Sequence, residues 1–209
     1  MGIAYNDLVD DVCGFLQIRI TDKDKFRVDI SLNRAQDHLL GILQPRHLVN
    51  AIRTWRGHLV NGEPAYQWPA DFRRFLKMWV DFDNSISKTN MGYPAIPVGD
   101  TELWDVANID LLPDKQHPKV SLGIEGGFEL QPTPTQNVTE GWRLRYVAVL
   151  PKISESQQCI LHARLRNVLT FYATSLSALV EEFSMALHKE FKDYYKEELE
   201  QLQPKAQVE

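Results

Sequence analysis

Residues 156–203 form a run of forty-eight residues that contains neither glycine nor proline. Apolar side chains recur through this run at intervals of three or four residues, which is the spacing of one helical face. The members of this stripe are Leu161, Leu165, Val168, Tyr172, Leu176, Leu179, Phe183, Leu187, Phe191 and Tyr194. A single helix of this length would extend roughly 72 Å. The pattern therefore predicts either one very long helix or two helices folded back as a hairpin, and the ordinary length of helices favours a break.

Two more helices are predicted near the N-terminus. The first covers residues 6–16, and Asn6 is a suitable N-cap because its side chain can accept a hydrogen bond from the first turn. The second covers residues 25–43, with Asp22 or Asp24 as its cap. The apolar face of the second helix consists of Leu32, Ala35, Leu39, Leu40 and Leu43.

Between the helical regions, residues 49–150 change to a period of two, which is typical of strands. Strands are predicted at residues 50–60, 65–69, 76–82, 120–124, 128–130 and 142–150. Gly126 and Gly127 lie between two of these strands and predict a two-residue hairpin turn, because both central residues of a type I′ turn need positive φ. Pro132 and Pro134 then end the second strand, since proline cannot donate to a sheet.

These elements predict an α+β fold in a single domain, residues 1–209. It is expected to be mainly a helical bundle, with helices at about 6–43 and 156–203 and a small antiparallel β element within the β-rich middle at about 49–150. The bundle contains two N-terminal helices and the long C-terminal helix or helical hairpin.

The composition gives little indication of enzymatic chemistry. No two of the six histidines stand four residues apart on a predicted helix, and no phosphate-binding or nucleophile motif is present. The expected sets of catalytic, metal-binding and cofactor-binding residues are therefore all empty. Two isolated cysteines and a start without a secretory pattern favour synthesis in a reducing cytoplasm. No apolar run approaches the length needed to span a membrane.

Charge is distributed unevenly along a chain whose net charge is −5. Residues 43–80 contain six basic and two acidic residues, and aromatic residues lie among the bases. Five of these bases lie among the aromatics: Arg53, Arg56, Arg73, Arg74 and Lys77. The aromatics are Trp55, Tyr66, Trp68, Phe72 and Trp79. This combination can bind single-stranded nucleic acid through charge and stacking. The favoured alternative places the aromatics in a core and the bases on a solvated face or a subunit interface.

The order of the motifs resembles that of the head–tail adaptor, or connector, proteins of tailed bacteriophages. The resemblance is carried by "SLNRAQDHLL" in the second helix, "WPADFRRFLKMWVDF" entering a strand, "YPAIPVGDTELWDV" as a strand followed by a short helix, and "GGFELQPTP" and "LRYVAVLPKIS" as later strands. The long helical C-terminus follows them. In the family this last region is usually two helices, and the aligned break falls at about residues 181–187. The similarity extends from residue 25 to residue 202.

The resemblance implies a structural virion protein without enzymatic activity. It implies a homo-oligomeric ring, commonly of twelve copies, that joins the portal protein to tail nozzle or tube proteins and lets double-stranded DNA pass through its channel. The expected location is the head–tail junction of the virion, after synthesis in the host cytoplasm, with no membrane partner. The candidate portal-contacting residues are Glu197, Glu200, Gln203 and Lys205. A tail-completion or terminator ring protein remains an alternative, and a single-stranded nucleic-acid-binding module is a further one.

Overall fold

The computed structural model describes residues 2–18, 22–84, 92–98, 112–122, 126–180 and 185–202. The chain divides into two compact units. Both chain ends, residues 1–51 and 149–209, form a helical unit, and residues 52–148 form a β unit inserted between them. The predicted α+β class is confirmed. The short helix expected after the strand in "YPAIPVGDTELWDV", which would begin at Asp100, lies outside the described residues.

The helical unit contains α1 (Tyr5–Leu16), α2 (Asp22–Ile42), α3 (Arg166–Val180) and α4 (Met185–Leu202). Short 3₁₀ turns lie at Pro45–His47, Val49–Ala51 and Ala163–Leu165. The apolar face predicted for α2 is confirmed, because all five of its members are fully buried. Burying side chains of this size is the main favourable contribution to packing such a helix.

The predicted N-caps of α1 and α2 are wrong. Helix α1 begins at Tyr5 with Ala4 in the capping position, so Asn6 lies inside the helix, and no side chain caps it. The chain enters α1 from an extended bridge between Ile3 and Cys159, and the buried Tyr5 donates its hydroxyl to Asp29 at 2.7 Å. These tertiary contacts define the start of α1 in place of a local cap.

Helix α2 begins at Asp22, three residues before the predicted start, so both candidate caps lie within its first turn. Acidic residues are favourable there because the amino end of a helix carries a partial positive charge. The two aspartates therefore belong to the helix and do not precede it.

The C-terminal helical region begins later than the periodicity predicts. Residues 156–162 are not helical, and α3 starts at Arg166 after a 3₁₀ turn. Cys159 exchanges backbone hydrogen bonds with Ile3 in both directions, at 3.0 and 3.2 Å, and the side chains of Cys159 and Leu161 are buried in this extended stretch. The helical spacing of Leu161 with later residues is therefore coincidental.

Helices α3 and α4 pack against each other as an antiparallel hairpin, which decides between the two alternatives. The ring of Phe171 lies 6.1 Å from that of Phe191, and the ring of Tyr172 lies 4.7 Å from that of Tyr195. Further along α3, the hydroxyl of Ser175 lies 3.0 Å from the Nδ1 atom of His188, a residue closer to the start of α4. Tyr195 is buried and Tyr194 is exposed, so the buried stripe of α4 continues from Phe191 to the residue four positions later and not to Tyr194 as predicted.

The β unit is a seven-stranded mixed sheet in the order β1-β7-β3-β4-β5-β6-β2. Its strands are β1 (Ile52–Leu59), β2 (Ala65–Gln67), β3 (Phe72–Val80), β4 (Tyr93–Val98), β5 (Lys119–Ser121), β6 (Gly127–Gln131) and β7 (Val138–Ala148). The expectation of a small antiparallel element is therefore wrong. The sheet is substantial, and β4 and β5 pair in parallel.

The sheet curls into a half-barrel around an apolar core. Its two edge strands, β1 and β2, are joined by residues 60–64, and the ring of Tyr66 on β2 lies 6.1 Å from that of Trp142 on β7. The alternation predicted for the last strand is confirmed, because Trp142, Leu144 and Tyr146 are buried. Phe128 is fully buried and meets the Trp142 ring edge-on at 5.3 Å.

The predicted two-residue turn at Gly126 and Gly127 is wrong in its register. Gly126 has a φ of +75°, but Gly127 is the first residue of β6 and lies opposite Gln67 of β2. The ladder between β5 and β6 pairs Ser121 with Glu129, which requires a longer connection than two residues. Gly127 is needed for close approach, because a Cβ there would lie 2.4 Å from the carbonyl oxygen of Tyr66.

Candidate functional site

The candidate portal-contacting residues fall partly within the structure. Glu197 and Glu200 lie three residues apart near the C-terminal end of α4, and both are exposed. Residues three apart lie on the same side of a helix, so the two carboxylates form one small acidic surface. Gln203 and Lys205 lie outside the described residues.

The end of α4 is held to the helical unit by arginine side chains that the sequence did not single out. Arg46 donates from its Nη2 atom to the backbone carbonyl of Leu202 at 3.4 Å, and Arg164 donates to the carbonyl of Arg46 at 3.1 Å. A cation near the last carbonyls of a helix is favourable because these groups carry partial negative charge. The acidic surface of Glu197 and Glu200 is thus carried on an anchored helix end.

A second candidate surface lies on the β unit, where four basic side chains share the sheet face that points away from the core. On β7, Arg143 and Arg145 alternate with the buried Trp142, Leu144 and Tyr146 and therefore point to the opposite side. The register then places their neighbours beside them. We call Arg56, Lys77, Arg143 and Arg145 the basic face.

Two rows of cross-strand neighbours build the basic face. In one row Arg145 of β7 lies between Thr54 of β1 and Lys77 of β3. In the next row, two residues along, Arg143 lies opposite Arg56 on one side. Trp79 flanks Arg143 on the other side, and the Lys77 ammonium lies 5.0 Å from the centre of its ring. Directly opposed residues on a sheet point to the same face, so the four cations converge.

One acidic residue enters this surface. Glu140 accepts a hydrogen bond from Arg56 at 2.6 Å, and both side chains are about half exposed. These two residues, Arg143, Thr139 and Asn84 line a shallow cleft of about 330 Å³. Among the described residues, Lys77 and Arg145 make no ion pair, and both are exposed.

Most aromatic residues of segment 43–80 lie apart from the cations of the basic face. Tyr66, Trp68 and Phe72 pack against the apolar core, with the rings of Trp68 and Phe72 stacked at 4.1 Å. Trp55 meets the Trp142 ring edge-on at 5.0 Å and stays partly exposed. Trp79 is the aromatic of this segment that lies beside the basic face.

A serine–histidine pair on the helical hairpin is not arranged for nucleophilic chemistry. The Nδ1 atom of His188 lies 3.0 Å from the Ser175 hydroxyl and also 2.9 Å from the Ser175 carbonyl oxygen. A carbonyl can only accept, so Nδ1 carries a proton there and cannot accept the proton of the hydroxyl. A general base needs a free lone pair toward its nucleophile.

The two cysteines are both buried within the helical unit. Burial raises the pKa of the Cys159 thiol to about 11, and its Sγ atom lies 3.8 Å from the side-chain oxygen of Gln36. A buried, protonated thiol is a poor nucleophile and a poor metal ligand. Within the described ranges, no three His, Cys, Asp or Glu side chains are grouped to hold a metal ion.

No described helix has both the length and the apolar character needed to cross a membrane. No model of a known protein family matches the chain, and no curated protein shows a significant match to its sequence.

Proposed function

We propose that this chain is a structural adaptor of a tailed-phage virion, which forms a ring between the portal and the tail. The proposal rests on the resemblance in motif order described above. Its partners would be the portal protein, tail proteins and further copies of the chain, with double-stranded DNA passing through the ring.

The observation that carries the proposal is the arrangement of the helical unit. Residues 1–51 and 149–209 contribute to it, the β unit is inserted between them in the sequence, and α3 and α4 pack as an antiparallel pair. The family that the chain resembles usually has two C-terminal helices, whereas the sequence of this chain left one long helix or a hairpin open. The packing of α3 against α4 as a hairpin fits this expectation and so supports the proposal.

A closed ring needs two different, complementary patches on each copy, because every subunit contacts its neighbours head to tail. The two units offer surfaces of different chemistry for this purpose. The helical unit presents exposed carboxylates at Glu197 and Glu200, and the β unit presents the basic face. Several apolar side chains of the helical unit are also exposed, including Phe26 at 67% and Met185 at 73%.

The test is assembly of the full chain alone and with the portal protein encoded in the same genome. Size-exclusion chromatography with light scattering would measure the mass, and negative-stain electron microscopy would show ring-shaped particles. We expect association with the portal and rings of about twelve copies. A stable monomer that never associates with the portal would overturn the proposal.

A further inference from the structure

We infer that the basic face is a surface that binds the phosphate backbone of double-stranded nucleic acid without reading its sequence. The inference comes from the register of β1, β7 and β3 and is independent of whether the chain forms a ring. Arg56, Lys77, Arg143 and Arg145 would contact phosphates.

The strongest indication is that like charges lie directly opposite each other twice. Arg56 faces Arg143 across β1 and β7, and Lys77 faces Arg145 across β3 and β7. Such pairs destabilise a sheet, whereas opposite charges in the same positions would stabilise it. Glu140 offsets part of the repulsion at Arg56, so the uncompensated pair among the described residues is Lys77 with Arg145. A polyanion that binds across both pairs would remove this repulsion and gain charge-assisted hydrogen bonds from three arginines and one lysine.

Protection of a sheet edge does not account for these charges. Lysine and arginine on an edge strand discourage pairing with other chains, and this explanation can apply to Arg56 on β1. Arg143 and Arg145 lie on β7, which has β1 on one side and β3 on the other. An interior strand needs no such protection, so Arg145, which makes no ion pair among the described residues, requires another reason.

The breadth of the surface favours a duplex over an acidic peptide. The cations extend across three strands, a width of about 10 Å at ~4.8 Å per strand, and along about 7 Å of each strand. An extended peptide would dock most readily by adding to the edge of β1 and would cover one part of this width. A duplex carries one charge per ~1.7 Å of its axis, so a segment of similar length presents enough phosphates for all four cations.

Single-stranded nucleic acid is less well matched. Its binding modules rely on exposed aromatic rings on which successive bases stack. Here Tyr66, Trp68 and Phe72 pack against the core, and Trp79 is half-buried. The surface thus offers charge without a row of stacking platforms.

The experiment measures fluorescence anisotropy of labelled 30-base-pair duplexes of two unrelated sequences, titrated with the full-length protein at several salt concentrations from 50 to 200 mM. We expect both duplexes to bind equally. The slope of log affinity against log salt should be about −3 to −4, because each neutralised phosphate contributes about −0.9. Single strands of the same length should bind more weakly.

The test variant is Lys77→Gln with Arg145→Gln, and its matched control is Lys189→Gln with Lys192→Gln, which removes two exposed lysines from α4. The test variant should lose about tenfold or more in affinity and about 2 units of salt slope. The control variant should bind as the wild type does. Since the test variant removes one opposed like-charge pair, its melting temperature should equal or exceed that of the wild type.

Three outcomes would overturn the inference. One is the absence of duplex binding at 50 mM salt. Another is an equal loss of affinity in the test and control variants, which would mean that only net charge matters. The third is competition by polyglutamate as effective as that by duplex at equal charge, which would identify the basic face as a docking site for acidic protein segments.

Discussion

The Nδ1 atom of His188 on α4 lies 2.9 Å from the backbone carbonyl oxygen of Ser175 on α3. The carbonyl belongs to the second half of α3 and the imidazole to the first half of α4, so this bond joins the two helices near their turn. It ties together two segments that the chain could otherwise have built as one continuous helix.

We expect His188→Ala to destabilise the helical unit by about 1 to 2 kcal/mol, because it removes this hydrogen bond and leaves the buried Ser175 hydroxyl with one fewer partner. Chemical denaturation monitored by circular dichroism would measure the change. His117→Ala, in an exposed loop of the β unit, is the control. Equal stability of the two variants would contradict the role assigned to His188.

The two adjacent glycines at the start of β6, Gly126 and Gly127, should respond differently to alanine. Gly127→Ala places a Cβ against the Tyr66 carbonyl oxygen and should separate β2 from β6, at a cost of about 2 kcal/mol or more. Gly126→Ala meets open space, so its cost should be the strain of a positive φ alone, about 1 kcal/mol.

Thermal melting of the two glycine variants gives the comparison directly. A two-residue turn at these positions would instead require positive φ at both glycines and would predict similar costs. If Gly126→Ala proved the more damaging of the two, the observed register of β6 would be wrong.

Mild acid should destabilise the helical unit. Burial lowers the pKa of His38, whose Nε2 atom lies 2.9 Å from the Tyr195 hydroxyl and whose ring stacks on Tyr172. Burial, followed by the charge of Arg164, lowers the pKa of His47. Because the unfolded chain binds protons at these rings more readily, their contribution to stability is complete above about pH 6.5 and is lost as the pH falls below it.

The measurement is the free energy of unfolding between pH 7 and pH 5. Replacing both residues, His38→Gln with His47→Gln, should flatten the pH dependence in this window even if it lowers stability overall. An unchanged slope in the double variant would assign the acid sensitivity to other groups.

Charge reversal at the end of α4 should weaken the proposed association with the portal. Glu197→Lys with Glu200→Lys reverses an exposed acidic surface without removing a core side chain, so stability should change by less than about 0.5 kcal/mol. Portal binding should become weaker, and the contribution of these carboxylates should fade as salt shortens the screening length to about 8 Å at 0.15 M.

The control is Glu63→Lys, a single charge reversal at an exposed position in the loop before β2. Truncation after Leu202 provides a second comparison, since it removes residues 203–209 and no described core residue. The docking site would not lie at this end of the molecule if both variants bound the portal as the wild type does. Both the affinity for the portal and its salt dependence would then be unchanged in the charge-reversal variant and in the truncated chain.

Local sequence patterns are enough to predict the type of most elements. Apolar residues spaced for a helix specified the buried face of α2, and strict alternation specified which side chains of β7 face the core. Both are local consequences of backbone geometry, because side chains recur every 3.6 residues in a helix and every two in a strand. The prolines after β6 likewise ended that strand where expected.

Helix bounds, turn positions and strand register depend on contacts between residues distant in the chain, which local patterns do not predict. Cys159 pairs with Ile3 and keeps residues 156–162 out of a helix, although their spacing suits one. Gly127 pairs with Gln67 of β2, which places Gly127 in a strand and not in the predicted two-residue turn. Arg143 and Arg145 could be assigned to the outer face of a strand from alternation alone. Their positions opposite Arg56 and Lys77 depend on the strand order and the register. No local pattern encodes these, because the packing of the whole sheet selects which strands are neighbours.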